Sequence, residues 1–250
     1  MESYGEGFAG VYDAFMDDVD YGKWGAYIQE LLTCHGIAPG AKVADAACGT
    51  GNMTMELARR GYAAMGLDIS GPMLATAAEK ALKEGMAIPY IQQNICELET
   101  GKPVSAVVCA CDGVNYLKGV KDPLYFFTSA FICLESGGVL TFDISSPYKL
   151  EKVIGNEFFA RENENAAYIW QNHFNDKSRI LTMDITFFIK KKGNLFERYI
   201  EHHTQRAHTD KEIKDALKQA GFKNIKSYEC CTHSHPKDNT QRIQYIAVKP

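Results

Sequence analysis

The sequence predicts an α/β fold, in which a mostly parallel β-sheet has helices on both faces and carries an inserted antiparallel β-region. Short apolar stretches alternate with helix-like stretches as far as about residue 147, which is the pattern of a parallel sheet with right-handed crossovers. Longer stretches rich in β-branched and aromatic residues then follow one another, separated by turn signals, as in antiparallel strands. A chain of 250 residues, 46% of them hydrophobic, is sufficient for one such domain.

The α/β body begins with an amphipathic helix and continues with five strands. Apolar residues recur at helical spacing between Trp24 and Leu32, and the pattern stops at Gly36 and Pro39. The fourth strand candidate is apolar nearly throughout, as expected of a strand covered on both faces. The five strand candidates are residues 42–47, 62–67, 88–93, 104–111 and 139–144.

Helices are expected between these strands, over about residues 52–60, 70–85 and 122–137. Ser70 is a suitable N-cap for the second of them, and Pro72 suits its first turn because proline there costs no helical hydrogen bond. The alternation of strands and helices therefore supports the parallel sheet.

The second half of the chain has a different pattern. Thr209 to Glu212 form a capping box, which begins a helix that ends at Gly221. Two last strands, near 224–232 and 241–248, are expected to form a closing hairpin. The antiparallel strand candidates before the capping box are residues 167–174, 179–191 and 195–206.

Composition excludes several classes of function. The net charge is −4, which does not suit binding to a phosphate backbone. No apolar run approaches the ~20 residues that cross a bilayer, and the acidic N-terminus lacks an apolar signal core. We therefore expect no nucleic acid partner, no membrane partner and a cytoplasmic location.

The eight cysteines are expected to be reduced thiols. A tract of Cys230, Cys231, His233 and His235 contains residue types that bind zinc, but its spacing matches no common zinc signature. No metal site is expected there.

A glycine-containing loop follows the first strand. It lies within VADAACGTGNMT, residues 43–54, where Asp45 ends the strand. Gly49 and Gly51 allow a ligand to approach the backbone and allow positive φ angles. Asp68 ends the second strand, where its carboxylate can accept hydrogen bonds from both hydroxyls of a ribose. The carboxyl ends of strands in open α/β sheets are where ligands bind.

The charge of this loop distinguishes between nucleoside cofactors. A dinucleotide fingerprint needs a third glycine where this chain has Thr54. Asp45 would also repel an anionic pyrophosphate, which prefers a bare helix N-terminus. It suits a ligand with an amino group and no phosphate, such as S-adenosylmethionine, and an NAD-type oxidoreductase is the disfavoured alternative.

The same segments resemble a known family. VADAACGTGNMT together with GLDISGPML is similar to the cofactor motifs of class I S-adenosylmethionine-dependent methyltransferases, and the resemblance covers nearly the whole chain. QQNICELE, VCACDGVNYL and LESGGVLTFDIS match later parts of the same fold. YDAFMDDVDYGKW resembles the N-terminal lid of small-molecule members, including sugar N-methyltransferases. ERYIEHHTQRAHTDKEIKDALKQAGF also resembles these members, which have an antiparallel insert before the last helix.

The resemblance implies a Rossmann-like class I methyltransferase fold with a seven-stranded sheet. It implies a single domain over residues 1–250, composed of a helical lid (1–38), a cofactor-binding core (39–147), an antiparallel insertion (148–208) and a C-terminal helix with closing hairpin (209–250). The cofactor would be S-adenosyl-L-methionine and its product S-adenosyl-L-homocysteine.

The resemblance also implies roles for single residues around the cofactor. The family usually has an acid where this chain has Asn94, whose carbonyl can still accept a hydrogen bond from the adenine amine. Ile69 and Met73 have core packing as their alternative. The implied contacts are Asp45, Gly49 and Gly51 to the methionine moiety, Asp68 to the ribose, Ile69 and Met73 to the faces of the adenine, Asn94 and Ile95 to its edge, and Cys111 to the methionine arm.

Aromatic residues near the N-terminus are candidates for a lid over the cofactor. Tyr12 is the first choice as a catalytic residue, and Tyr21 and Trp24 come next as cofactor contacts; packing of a helix on the sheet is the alternative. Tyr4 and Phe8 belong to the same stretch.

The acceptor side is predicted from two later segments. Asn115 and Tyr116 follow the fourth strand, where the N-P-P-Y-type tetrapeptide of nucleic-acid amino methyltransferases is absent. In the insertion, His203 is a candidate base on the face opposite His202, with Arg206 as a candidate for binding an anionic group; exposed strand histidines are the alternative.

The leading hypothesis is therefore a methyltransferase that acts on a nitrogen or oxygen nucleophile of a small molecule. A non-catalytic S-adenosylmethionine-binding module or partner subunit is the alternative. The oligomeric state is left open, with a homodimer as one alternative.

Overall fold

The computed structural model describes residues 12–16 and 19–250. The α/β body comprises α1 (Tyr12–Phe15), α2 (Tyr21–Thr33), β1 (Lys42–Ala46), α3 (Asn52–Arg59), β2 (Ala63–Asp68), α4 (Gly71–Lys83), β3 (Tyr90–Gln92), β4 (Val104–Cys109), α5 (Asp122–Cys133) and β5 (Leu134–Ser145). The remainder comprises β6 (Phe158–Glu162), β7 (Ala166–Asn175), β8 (Ile180–Lys190), β9 (Phe196–Arg206), α6 (Asp210–Gln219), β10 (Lys223–Glu229) and β11 (Arg242–Val248). Short helical turns lie at Ile95–Glu97, Gly113–Tyr116 and Lys149–Val153.

The described residues form two sheets, and both confirm the predicted fold class. The first has seven strands in the order β10-β11-β5-β4-β1-β2-β3, with β11 antiparallel to both neighbours and the other pairs parallel. The second has four antiparallel strands in the order β6-β7-β8-β9. The chain leaves β1 on one side toward β2 and later returns on the other side as β4, so a crevice opens at the carboxyl end of β1.

Local signals begin the helices where the sequence predicts. The Ser70 side chain accepts a hydrogen bond from the backbone amide of Met73 at 3.3 Å and caps α4. Thr209 and Glu212 cap α6 reciprocally, as a capping box.

The main sheet has an apolar layer on each face. One layer is aromatic and includes Phe127, Phe142 and Tyr245. The ring centre of Phe142 lies 5.0 Å from that of Phe127 and 5.2 Å from that of Tyr245. The other is formed by the apolar side of α2, where Ile28 and Leu32 are fully buried. Burial of both faces explains the continuous apolar runs in β4 and β5.

Three features differ from the sequence-based expectation. β5 begins at Leu134 rather than near residue 139, since the chain pairs with β4 through an irregularity that accommodates Gly137 at φ +80°. β6 was not predicted, because it is an exposed edge strand without alternating burial. The helical turn at Lys149–Val153 was also missed, because five residues are too short to give a periodic pattern.

Candidate active site

A cavity of about 1050 Å³ opens at the carboxyl ends of β1, β2 and β4. Its size is in the range of small-molecule sites. Most of the predicted site residues line it: Tyr12, Tyr21, Asp45, Gly49, Asp68, Ile69, Met73, Asn94, Ile95, Cys111 and Tyr116. Gly51, Trp24, Asn115, His203 and Arg206 do not.

Asp45 lies at the end of β1 and is almost fully buried. Its Oδ2 accepts a hydrogen bond of 2.6 Å from Thr54 Oγ1, whereas its Oδ1 has no hydrogen-bond partner among the described residues. Burial raises the pKa of Asp45 to about 7, and the nearby Asp68 contributes in the same direction. A buried carboxylate oxygen without a partner is costly, so this position is suited to a cationic or hydrogen-bond-donating ligand.

Asp68 ends the neighbouring strand β2 and is held by the backbone. Gly49 donates to one carboxylate oxygen and Ser70 to the other, each at 2.8 Å. Burial nevertheless raises the pKa of Asp68 above its usual value. Each oxygen has a second lone pair, so the fixed carboxylate can still accept hydrogen bonds from a ligand.

Gly49 and Gly51 both have positive φ, of +54° and +78°. A Cβ on Gly49 would meet only the end of Met73 at 3.5 Å, whereas one on Gly51 would lie 2.6 Å from the Tyr90 hydroxyl and 2.9 Å from Ala77 Cβ. A glycine is therefore required at position 51 because φ is positive and because side chains pack beneath the loop. The sequence-based expectation for Gly51 was instead a contact with the ligand.

The residues predicted to surround the adenine differ in exposure. Ile69 is 65% exposed, whereas Met73 is 1% exposed and belongs to the packed interior as well as to the cavity wall. Asn94 Oδ1 accepts from the backbone amide of Cys96 at 3.0 Å and so caps the turn at Ile95–Glu97. The Asn94 carbonyl thus has a structural task besides the predicted ligand contact.

Tyr12 and Tyr21 lie on the cavity wall beside Cys111, whose Sγ is 3.7 Å from the Tyr21 hydroxyl. Burial raises the pKa of both phenols well above the usual value, so both hydroxyls stay protonated at neutral pH. Tyr4 and Phe8 of the predicted lid lie outside the described residues.

Asp13 connects α1 to the cofactor side of the cavity, a contact that the sequence did not reveal. Its carboxylate accepts hydrogen bonds from Thr50 Oγ1 at 2.7 Å and Asn52 Nδ2 at 2.8 Å. It also forms an ion pair of 2.5 Å with Lys80 Nζ of α4. Asp13 therefore holds the segment that carries Tyr12 against the glycine loop.

Trp24 is buried in the core and does not line the cavity. Its surroundings match the alternative that it packs a helix on the sheet. Its indole Nε1 donates to Gln244 Oε1 at 3.4 Å, and the Arg242 guanidinium lies 5.1 Å from its ring centre. A cation so placed is attracted by the aromatic face.

Arg242 forms a buried ion cluster with Asp112 and Asp143, which the sequence also did not reveal. Its Nη1 is 2.5 Å from Asp112 Oδ1, and it also pairs with Asp143. Burial raises the pKa of Asp143 to about 7. At Asp112, burial is outweighed by the charges of Arg242 and Lys149 together with the hydrogen bond from Ser145, so the pKa of that carboxyl is lowered. Asp112 and Cys111 both have positive φ, and the cluster stabilises this turn at the end of β4.

Asn115 and Arg206 brace the insertion instead of lining the cavity. Asn115 Nδ2 donates to the carbonyls of Ser145 and Arg206, each at 3.0 Å, and its Oδ1 accepts from the Ser145 amide. The Arg206 guanidinium pairs with Glu212 at 3.2 Å. Both predicted substrate residues thus join β5, β9 and α6.

The two histidines of β9 lie on opposite faces, as strand geometry requires. His203 is 2% exposed, with its Nδ1 3.3 Å from the Tyr116 hydroxyl, and burial lowers its pKa to about 4. His202 lines the cavity together with Thr204. The face of β9 toward the cavity is therefore that of His202, although the sequence favoured His203.

The side chains of the cysteine–histidine tract contact different partners. Cys230 Sγ and Cys231 Sγ are 3.6 Å apart, while His233 pairs with Glu30 at 3.0 Å. In the part of the chain that the structure describes, no group of three His, Cys, Asp or Glu residues is arranged to hold a metal ion. Within the same part, no helix is both long and apolar enough to cross a membrane.

Comparison with known proteins agrees with this geometry. A family model described as a methyltransferase domain matches residues 43–138. The protein YqeM of Bacillus subtilis (strain 168), which is assigned to the methyltransferases, is 33% identical over 246 residues, covering 98% of this chain and 96% of YqeM.

Solved structures give the same result. The crystal structure of an S-adenosylmethionine-dependent methyltransferase from Clostridium acetobutylicum ATCC 824 is 32% identical, with a TM-score of 0.88 over 96% of this chain and 97% of that one. The sugar N-methyltransferase KedS8 from Streptoalloteichus sp. ATCC 53650 is 19% identical, with a TM-score of 0.77 over 96% and 92% of the chains, and so shares the fold. The chain therefore belongs to the S-adenosylmethionine-dependent methyltransferases.

Proposed function

We propose that this protein binds S-adenosylmethionine in the cavity at the end of β1 and transfers its methyl group to a nitrogen or oxygen atom of a small molecule. The observation that carries the proposal is Asp45, whose buried Oδ1 has no hydrogen-bond partner among the described residues and would be completed by a cationic amino group. An NAD-type cofactor would instead bring an anionic pyrophosphate toward two carboxylates, those of Asp45 and Asp68.

The residues present fit this cofactor. Asp45 and Gly49 would hold the methionine end, with Tyr21 and Cys111 beside it, and Asp68 would hold the ribose hydroxyls. The adenine would lie among Ile69, Met73, Asn94 and Ile95 on the same wall. When bound, the cofactor supplies an activated methyl group on a sulfonium. Gly51 supports the loop from below and Trp24 supports the cluster around Arg242, so both act through other residues.

The protein's own task is to orient an acceptor and to exclude water. Tyr12 and Tyr116 line the cavity and can orient the acceptor through their hydroxyl groups. His203, neutral and buried, is suited to fix the Tyr116 hydroxyl from behind, which gives this predicted catalytic residue a positioning role. Asn115 and Arg206 would keep this wall in place.

A small acceptor is favoured by the cavity and by charge. The net charge of −4 is unsuited to nucleic acid. A sugar N-methyltransferase shares the fold over nearly the whole chain, which supports an acceptor of similar size.

Calorimetry tests the cofactor, and product release tests the reaction. S-adenosylhomocysteine and S-adenosylmethionine should bind to the wild type, and NAD should not. Asp45→Asn should weaken this binding, while Asp215→Asn, which alters an exposed helix carboxylate paired with Lys211, serves as the matched control.

Formation of S-adenosylhomocysteine is then followed with a panel of amines, phenols and sugars. Turnover with at least one small acceptor is expected. Tight binding of the cofactor without turnover on any acceptor would contradict the proposed reaction, and preferential binding of NAD would contradict the cofactor.

A further inference from the structure

The cavity wall contributed by the insertion contains a histidine–carboxylate pair. The register of β8 and β9 places Asp184 directly opposite His202. The two side chains meet with Nδ1 of His202 2.5 Å from Oδ1 of Asp184. Thr204, two residues along the same face, also lines the cavity.

The carboxylate determines which nitrogen of His202 can receive a proton. Asp184 accepts a hydrogen bond, so it favours the tautomer with the proton on Nδ1. The lone pair of the ring is then on Nε2. The same carboxylate stabilises the imidazolium that forms when Nε2 takes up a proton, which is the arrangement of a histidine that works as a base.

The neighbouring His203 is unsuited to this task. It faces the opposite side of the sheet and is 2% exposed, and burial lowers its pKa to about 4 because the charged form is poorly solvated there. His202 instead has an exposed side chain that lines the cavity. Of the two adjacent histidines, His202 is therefore the one that an acceptor in the cavity can reach.

We propose that His202, oriented by Asp184, removes the proton from the acceptor, and that the acceptor atom is therefore the oxygen of a hydroxyl group. The inference rests on the proposed methyl transfer. An electron pair of the hydroxyl oxygen forms the bond to the methyl carbon, while the pair of the S–CH₃ bond moves to sulfur. The hydroxyl proton moves to Nε2 of His202. The products are a methyl ether, S-adenosylhomocysteine and an imidazolium, which returns its proton to water.

A base is needed for a hydroxyl group more than for other acceptors. An unprotonated amine already presents its lone pair and can lose a proton after transfer, and a carboxylate has no proton to lose. A dedicated base on the wall consequently favours the hydroxyl class. Asp184 pairs with His202 across the two strands, and His203 is adjacent in the sequence. Other titratable groups of the cavity wall include Glu97, Tyr116, Lys118, Asp122 and Tyr125.

The first test uses NMR of imidazole nitrogens in the complex with S-adenosylhomocysteine. The wild type is expected to show His202 with its proton on Nδ1, and Asp184→Asn to show a mixture of tautomers. His202 with its proton on Nε2 in the wild type would overturn the inference, whether or not an acceptor is known.

The second test uses the matched acceptors catechol and o-phenylenediamine together with the wider panel. With a hydroxyl acceptor, His202→Gln should lower kcat about 100-fold or more, the range expected for loss of a general base. Asp184→Asn should cause a smaller loss. His233→Gln, which alters another exposed histidine–carboxylate pair outside the cavity, should leave kcat and its pH profile unchanged.

The outcomes separate this inference from the proposed function. Transfer to an amine with a rate unaffected by His202→Gln would refute the base while supporting methyl transfer. If S-adenosylhomocysteine binds but no acceptor turns over, methyl transfer itself fails. Binding of S-adenosylhomocysteine should be unchanged in all three variants, because none of these residues is assigned to the cofactor.

Discussion

Replacing Asp45 by Asn should make the protein more stable and weaken its binding of the cofactor. Asp45 is buried at the end of β1, and the burial raises its pKa from 3.8 to about 7. Asn retains the shape and can still accept the hydrogen bond from Thr54. The substitution therefore removes mainly the charge.

The stability effect follows from the direction of the pKa shift. Because the folded state binds the proton of Asp45 more tightly than the unfolded state does, stability is lost as pH rises from about 4 to about 7 and is constant above that range. About three pKa units at 1.36 kcal/mol each set an upper bound of about 4 kcal/mol at pH 8. Asp45→Asn should recover a large part of this free energy of unfolding at pH 8 and almost none at pH 4.

The effect on binding has the opposite sign. A hydrogen bond to a charged group contributes about 1.5–3 kcal/mol, so S-adenosylhomocysteine should bind roughly 10- to 150-fold more weakly to Asp45→Asn. In the wild type, affinity should decrease as pH falls below about 7, because Asp45 must lose its proton to pair with the amino group. In the variant this dependence should disappear.

Urea unfolding at pH 4 and pH 8, with and without S-adenosylhomocysteine, measures both effects, and calorimetry gives the affinities. The same measurements on Asp215→Asn show the effect of removing an exposed carboxylate. A ligand-free variant that is less stable than the wild type at pH 8, or one that binds S-adenosylhomocysteine equally well, would refute the argument from burial.

Three other predictions concern residues around the cavity. Asp13→Ala removes the acceptor of three side-chain contacts, so S-adenosylhomocysteine should bind about tenfold more weakly by calorimetry. Glu79→Ala, on the exposed side of α4, should have no effect on this binding. Equal losses of affinity in the two variants would contradict a specific role for Asp13. Arg242→Met removes the ion-pair partner of the carboxylates of Asp112 and Asp143. The free energy of unfolding in urea should therefore fall by about 3–5 kcal/mol at pH 8 and by less at pH 5; a loss independent of pH would argue against the ion cluster. Gly51→Ala places a Cβ on a residue with φ +78° and against the side chains of Tyr90 and Ala77. Calorimetric scans should therefore show a melting temperature lower by about 4–10 °C. An unchanged melting temperature would show that the loop relaxes freely.

The fold was largely predictable because its signals are local. Caps such as those at Ser70 and Thr209 act within three residues. The apolar runs of β1, β2, β4 and β5 directly reflect burial on two faces. The exposed edge strand β6 has no such pattern.

The site was predictable only where strand ends determine it. Asp45 and Asp68 were found because parallel strands bring their carboxyl ends to one edge. The face of β9 toward the cavity was not determined by alternation alone, since that face depends on how the insertion packs against residues 113–116. The contacts of Asp13 with Lys80 and of Arg242 with Asp112 join residues far apart in the chain, so no spacing could indicate them.

Under the proposed function, the carboxylates that we expect to weaken the ligand-free protein would also give the cavity its selectivity. Among the described residues that line the cavity, Lys118 is the only lysine or arginine. A phosphate group entering beside the glycine loop would therefore meet Asp45 and Asp68, whose pKa values are already raised by burial. Lys80, which contacts Asn52 after the loop, is already paired with Asp13. A cationic ligand has the opposite effect, because its positive charge lowers the free energy needed to ionise Asp45. Under the proposed function, selectivity for a phosphate-free, positively charged nucleoside would thus arise from charges that the fold keeps buried at the expense of its own stability.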